Sequence, residues 1–317
     1  MLSIATRLSE LDRRLIQALQ RDGRTSYAAL ASELATTEKV VRTRVRSLLS
    51  SGVIDITTVS NPLALGYRYV AMVGVKTSGA ALSAVAQQLT EIEGVDYVVT
   101  TMGRYDIFVE VFCRTLDHLQ DLIETKIKSI SGVVDVEASL YLSLVYQEGA
   151  FELARAKEVT NPIVGGPSID LDDVDISIVD ILNQDGRTPY RMIAERLSIS
   201  ESQVRRRVAR MQDANVMKIM AITNPMSLGF ETVALVGAIV VPPVGVQEAA
   251  RTIAKIRSVT YVAIAAGRFD LWLELVCSDP GDLLRLIDEE LRQIPGITRL
   301  EPFVYLDLRY RHVRTAG

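Results

Sequence analysis

Asp22-Gly23-Arg24-Thr25-Ser26-Tyr27 returns as Asp185-Gly186-Arg187-Thr188-Pro189-Tyr190, an offset of 163 residues (22 to 185). Self-similarity at a fixed offset marks a duplicated unit. The match continues outward. Glu38, Val41, Arg42, Arg44 and Val45 meet Glu201, Val204, Arg205, Arg207 and Val208, and Asn61-Pro62 with Leu65-Gly66 meets Asn224-Pro225 with Leu228-Gly229. Past Gly66 one inserted residue moves the offset to 164 (103 to 267), so that Gly103-Arg104-Tyr105-Asp106 meets Gly267-Arg268-Phe269-Asp270. Glu110, Cys113, Gly132 and Tyr141 follow as Glu274, Cys277, Gly296 and Tyr305. Residues 147–170, with the breakers Asn161-Pro162 and Gly165-Gly166-Pro167, read as the connector between the copies.

Each copy opens on three short helices. Leu11, Leu15 and Leu19 recur every four residues and stop at Asp22-Gly23. A second helix starts near Ser26, with Tyr27, Leu30, Ala31 and Leu34 facing inward. Thr37 is placed to cap a third, whose buried stripe is Val41, Val45 and Leu48. The second copy repeats this with Ile178, Leu182, Ile193, Leu197, Val204, Val208 and Met211, and Ser200 with Gln203 forms a capping box. A tight break before the third helix is the helix-turn-helix plan, in which that helix enters the major groove. Its outer face is basic: Lys39, Arg42, Thr43 and Arg46 in the first copy, and Ser202, Arg205, Arg206 and Ala209, with Arg210 nearby, in the second. With the capping hydroxyls of Thr37 and Ser200, these are the expected DNA-binding residues. Differences at Lys39/Ser202, Thr43/Arg206 and Arg46/Ala209 predict copies unequal in DNA affinity, in sequence preference or in both. Arg24 and Arg187 carry two readings, a phosphate contact or a local structural role.

The second part of each copy reads strand (67–77), helix (80–92), two strands (95–101 and 105–112), helix (116–130) and strand (133–145), and the same order recurs over 230–311. That is βαββαβ, a ferredoxin-like sheet with both helices on one face. Ile107, Val109 and Val111 on one side of a strand and Phe108 and Phe112 on the other make both sheet faces apolar. The helix-free face therefore needs a partner, another such sheet within the chain or in a second chain. The fold class is α+β: a tandem duplication of a winged helix-turn-helix unit plus a ferredoxin-like unit. The expected boundaries are 1–60, 61–147, a linker over 148–170, 171–223 and 224–317.

These motifs together resemble the Lrp/AsnC (feast/famine) transcription regulators, twice over and across nearly the whole chain outside the connector. Members usually carry one copy, so the duplication departs from the family pattern. The resemblance implies that the βαββαβ unit is a RAM domain, which assembles subunits and binds a small effector, often an amino acid, between sensing units. It maps the family's effector turn onto Gly103, Tyr105 and Asp106 and onto Gly267, Phe269 and Asp270. The glycine permits a tight turn, and the carboxylate can either accept hydrogen bonds from an ammonium group or brace its own turn. The implied partners are double-stranded DNA, the effector and further copies of the chain in a dimer or tetramer. In the implied mechanism effector binding alters the packing of sensing units and hence the spacing of helix-turn-helix pairs on DNA.

Composition sets outer limits. Hydrophobic residues make up 48% and charged residues 23%, with mean hydropathy +0.20, an ordinary globular balance. The longest apolar stretches, such as 233–241, are far short of the roughly 20 residues that cross a bilayer, so no membrane partner is expected. Met1 to Glu10 lacks the pattern of a secretory signal, and a cytoplasmic location is expected. The net charge of −4 still allows a local basic footprint. Cys113 and Cys277 read as small core residues, and no metal site or cofactor is expected. No nucleophile elbow, P-loop or pair of catalytic carboxylates is present, and the two histidines, His118 and His312, do not repeat between copies. A non-enzyme is therefore expected, with no catalytic residues. The alternative is an enzyme resembling the sirohaem decarboxylases of the haem pathway, whose architecture is similar and whose chemistry needs histidine and basic residues around a tetrapyrrole.

Overall fold

The computed structural model describes residues 8–60, 62, 64–79, 82–147, 169–214, 216–223 and 225–310. The breakers of the connector, His312, Asn61 and Asn224 lie outside the described residues.

The first helix-turn-helix comprises α1 (Glu10–Arg21), α2 (Tyr27–Glu33) and α3 (Glu38–Ser50). Every start is capped as the sequence predicts for α2 and α3. Ser26 accepts from the Ala29 amide and Thr37 from the Val40 amide, while α1 adds a capping box between Ser9 and Asp12. The turn before α3 places Ala35 at φ 51°, and its equivalent Ser198 lies at φ 55°. A left-handed residue with a β-carbon costs roughly 1 kcal/mol. The same strain in both copies shows that the tight break is built in. In the second copy the helices are α6 (Asp173–Gln184), α7 (Tyr190–Leu197) and α8 (Glu201–Asp213), with the Ser200–Gln203 capping box formed.

A strand follows each third helix: β1 (Ile54–Ser60) and β6 (Met217–Thr223). The two form an antiparallel ribbon in which Thr57 faces Met220, its own equivalent at the 163-residue offset. A register centred on equivalent residues sets a local two-fold axis between the copies. The first helices cross over, α1 packing on β6 and α6 on β1. One hydrophobic core consequently runs through both copies, from Leu15, Leu30 and Val41 through Ile56 and Ile219 to Ile178, Ile193 and Val204.

The sensing units contain β2 (Tyr69–Thr77), α4 (Leu82–Glu91), β3 (Val95–Met102), β4 (Ile107–Cys113), α5 (Leu116–Asp121) and β5 (Val133–Gln147), then β7 (Thr232–Val240), α9 (Val246–Ile253), β8 (Val259–Ala266), β9 (Leu271–Cys277), α10 (Pro280–Arg285) and β10 (Ile297–Tyr310). The helix expected over 116–130 is α-helical only to Asp121 and widens into a π-helical turn over Leu122–Ile127. Both sheets merge into one closed eight-stranded barrel, in the order β10-β3-β4-β2-β5-β8-β9-β7. The long last strands make the closure. β5 pairs with β2 of its own unit over Val133–Leu140 and from Leu140 onward with β8 of the other unit, with a bulge at Leu142, and β10 makes the equivalent switch at Val304, with a bulge at Leu306.

The partner that the helix-free face requires is thus the second copy of the same chain. Phe108, Phe269, Trp272 and Phe303 fill the barrel, with Phe108 and Phe303 rings 4.8 Å apart. Ile107, Val109 and Val111 pack instead under α4 and α5, and Cys113 and Cys277 are fully buried. Phe112, on the same strand face as Phe108, joins the helix-turn-helix core instead, beside Tyr67 at 6.3 Å between centroids, and so ties barrel to ribbon.

Candidate nucleic-acid interface and effector turns

The third helices bury Val41, Val45 and Leu48, and Val204, Val208 and Met211, which turns their basic stripes outward. Lys39, Thr43 and Arg46 are exposed, as are Ser202, Arg206 and Ala209. Other arginines are engaged. Arg42 pairs with Glu38 at 2.5 Å and Arg205 with Glu201 at 2.9 Å, and each stands 5.3 Å from a tyrosine ring centroid, Tyr27 and Tyr190 respectively. Arg210, named in the DNA-binding set, reaches back to the fully buried Asp175, where Arg207 also binds at 2.8 Å, so it braces α8 against α6. Thr37 and Ser200 spend their hydroxyls on the caps.

The Asp-Gly-Arg-Thr turns that revealed the duplication hold the copies together. The Gly23 amide donates to the Ile219 carbonyl at 2.9 Å, and the Gly186 amide to that of Ile56 at 2.7 Å. A β-carbon at either glycine would sit 2.9 Å from an isoleucine methyl of the ribbon, which is why neither position has a side chain. Arg24 Nη1 donates to the carbonyls of Gly186, at 2.6 Å, and Thr188, at 3.1 Å, with its guanidinium 4.1 Å over the Tyr190 ring. Arg187 mirrors it by donating to the Thr25 carbonyl over the Tyr27 ring. Of the two readings for these arginines the structure supports the structural one, reaching across the copies.

The effector turns are also built into the junction. Gly103, at φ 139°, lies against Phe303, and Gly267 against Ser139, each on the last strand of the opposite unit. Tyr105 and Phe269 point into the barrel, over Gly74 and Gly237. Asp106 accepts from the Thr77 amide at 2.7 Å and the Thr77 hydroxyl at 3.1 Å, and Asp270 accepts from the Val240 amide at 2.8 Å. Both carboxylates therefore brace the adjoining strand of their own unit. The exposed part of each turn is its arginine: Arg104 meets Glu301 at 3.3 Å and Arg268 meets Glu137 at 3.1 Å, again across units. Tyr105 donates to Glu137 and its phenol is pushed up to about 12 by burial, helped by that carboxylate. Phe269 has no hydroxyl for Glu301, which takes Arg299 at 2.7 Å instead.

Sequence reasoning did not single out the buried Glu110 and the half-buried Glu274 as a site. Glu274 accepts from Tyr97 at 2.8 Å, Tyr305 at 2.9 Å and Thr260 at 2.7 Å. Glu110 accepts from Tyr261 at 2.5 Å, beside the buried Tyr141. Their signal was legible, one acid at the same position of two otherwise apolar strands.

Comparison with known proteins places this arrangement. The architecture is a Lrp/AsnC-type regulatory one, a DNA-binding-type helix-turn-helix followed by a ligand-binding-type domain, present twice. The AsnC-type helix-turn-helix domain matches residues 8–49 and 171–212, and the Lrp/AsnC ligand binding domain matches 70–151 and 235–313. The chain belongs to the Lrp/AsnC family. An uncharacterized HTH-type transcriptional regulator of Pyrococcus furiosus is 35% identical over 138 residues, covering 43% of this chain and 93% of its own. The regulatory protein AsnC of Escherichia coli is 30% identical over 138 residues, covering 43% and 90%. Among solved structures, the siroheme decarboxylase NirDL, in complex with an iron-uroporphyrin III analogue, covers 97% of this chain and 95% of its own at a TM-score of 0.66 and 16% identity.

That likeness concerns the fold, and it overturns the expectation that the chain is no enzyme. A protein of the same end-to-end architecture is an enzyme, so the lack of a P-loop, nucleophile elbow or metal cluster does not exclude catalysis. The expectation counted only chemistry that announces itself in short motifs. No helix among the described residues is long and apolar enough to cross a membrane.

Proposed function

We propose that this chain is a sequence-specific DNA-binding transcription regulator in which one polypeptide supplies both halves of the usual two-fold clamp. The observation that carries the proposal is the pair of capped third helices with outward basic faces, joined by the Ile54–Ser60/Met217–Thr223 ribbon and a common core. Family membership and identities of 30–35% to regulators support it. A small effector with both ammonium and carboxylate groups, such as an amino acid, fits the exposed cross-unit pairs Arg104–Glu301 and Arg268–Glu137, where it exchanges one ion pair for two. Higher assembly of chains into a dimer or tetramer then uses surfaces other than the barrel seam. The test is binding to the DNA upstream of the protein's own gene as salt is raised. Tight binding with a steep salt dependence that Lys39→Ala/Arg206→Ala weakens supports the proposal; salt-insensitive or absent binding by folded protein rejects it.

The end-to-end likeness to a siroheme decarboxylase favours a second reading, decarboxylation of an iron tetrapyrrole. The barrel interior is occupied by Phe108, Phe269, Trp272 and Phe303, so the macrocycle would lie outside it. Titration with iron-uroporphyrin III discriminates the readings. A saturable shift of the tetrapyrrole absorption band at one equivalent supports the enzyme, and an unshifted band rejects it.

A further inference from the structure

The two reading helices are locked to each other and differ in the charges they expose. The ribbon register, with Thr57 opposite Met220, sets one helix-turn-helix against the other about a local two-fold axis, as in a symmetric dimer. A symmetric dimer presents the same helix twice and selects a palindrome, with half-sites about one helical turn, roughly 34 Å, apart. Here the helices are covalently distinct. On α3 the basic groups outside any ion pair among the described residues are Lys39 and Arg46, with Thr43 between them. Seven residues at 1.5 Å per residue separate these cations by about 10 Å along the helix. On α8 the corresponding positions are Ser202, Arg206 and Ala209, so the one cation outside any ion pair among the described residues, Arg206, stands at the centre of the stripe. Two outer charges and one central charge cannot contact the same base edges and phosphates in the same way.

We propose that one molecule of this chain recognises a non-palindromic double-stranded DNA site in a single orientation, with α3 reading one half-site and α8 a different one. The proposal rests on the DNA-binding reading above and adds the class of site. Because both helices belong to one chain, assembly cannot symmetrise the pair. The chain acts as a permanent heterodimer with a fixed polarity on DNA.

The experiment is selection of bound duplexes from a random-sequence pool by the full chain, repeated with Lys39→Ser/Thr43→Arg/Arg46→Ala, which gives α3 the exposed face of α8. All three positions are exposed, and the reciprocal variant Ser202→Lys/Arg206→Thr/Ala209→Arg is a second route should the first fail to fold. The wild-type chain is expected to enrich a site without dyad symmetry and to bind it about tenfold or more tighter than a palindrome made from either half. The triple variant is expected to enrich a palindrome of the α8 half-site. Enrichment by the wild-type chain of a palindrome whose two half-sites, one helical turn apart, are the same, or an unchanged asymmetric site with the variants, overturns the proposal. Absence of any salt-dependent enrichment is a different result, the failure of DNA binding itself, and removes both.

Discussion

Arg24 of the first copy donates from one guanidinium nitrogen to Gly186 of the second, 162 residues away in sequence, at 2.6 Å. Arg187 reciprocates towards Thr25. A motif noticed because it repeats is thus the one by which the repeats grip each other.

Removing that grip has a measurable effect. Arg24→Ala leaves the carbonyls of Gly186 and Thr188 without their charged donor and uncovers the Tyr190 ring. We expect a loss of about 1–2 kcal/mol in unfolding free energy, read as a lower denaturant midpoint at unchanged slope. An unmoved midpoint would show that the ribbon and core alone hold the copies.

The effector-turn aspartates respond in a way that separates bracing from ligand binding. Asp106 accepts two hydrogen bonds from Thr77. Asp106→Ala is therefore expected to destabilise the protein by about 1–2 kcal/mol with no small molecule added. A variant with wild-type thermal stability that has lost only an effector response would assign the carboxylate to the ligand instead.

Glu110 predicts a pH dependence of stability. Burial, reinforced by the charges of Asp96 and Glu274 against the Tyr261 hydrogen bond, pushes its carboxyl from 4.5 up to about 7. The folded chain keeps a proton that the unfolded chain releases near 4.5, so this stabilisation is complete below that pH. It falls as pH rises to about 7, by about 3 kcal/mol in all. Glu110→Gln keeps the acceptor for Tyr261 and removes the charge. Its stability should exceed that of the wild type at pH 8 but not at pH 4.5, as measured by urea unfolding at the two values; parallel pH profiles would refute the assignment.

The barrel interior is packed to the limit at Gly237. A β-carbon there would lie 2.4 Å from the Phe269 ring. Gly237→Ala should cost about 1–3 kcal/mol by overpacking, and adding Phe269→Leu should recover part of that cost. A simply additive double variant would place the strain elsewhere.

Much of this molecule is legible in the residues. Ser26 and Thr37 announced two helix starts and Ser200 with Gln203 a third, because a cap is a contact within three residues. The π-helical turn over Leu122–Ile127 was not legible, since its apolar spacing also suits an α-helix. The ribbon strands were missed as elements because a short strand such as Ile54–Ser60 is stabilised by a partner more than 150 residues on. Arg210 matched the exposed basic stripe by spacing, yet the buried charge of Asp175 takes it.

The sequence by itself determined the duplication, the order of elements in each copy and the apolarity of both sheet faces, since periodicity and capping are local properties. Only the tertiary structure decided where the second apolar face goes. Alternation in Ile107 to Phe112 requires a covering sheet but does not say whose, and tethering supplies one at high local concentration. The long last strands Val133–Gln147 and Ile297–Tyr310, each pairing first at home and then across, turn two open sheets into one barrel, while the Ile54–Ser60/Met217–Thr223 ribbon sets two unlike third helices about one local two-fold axis.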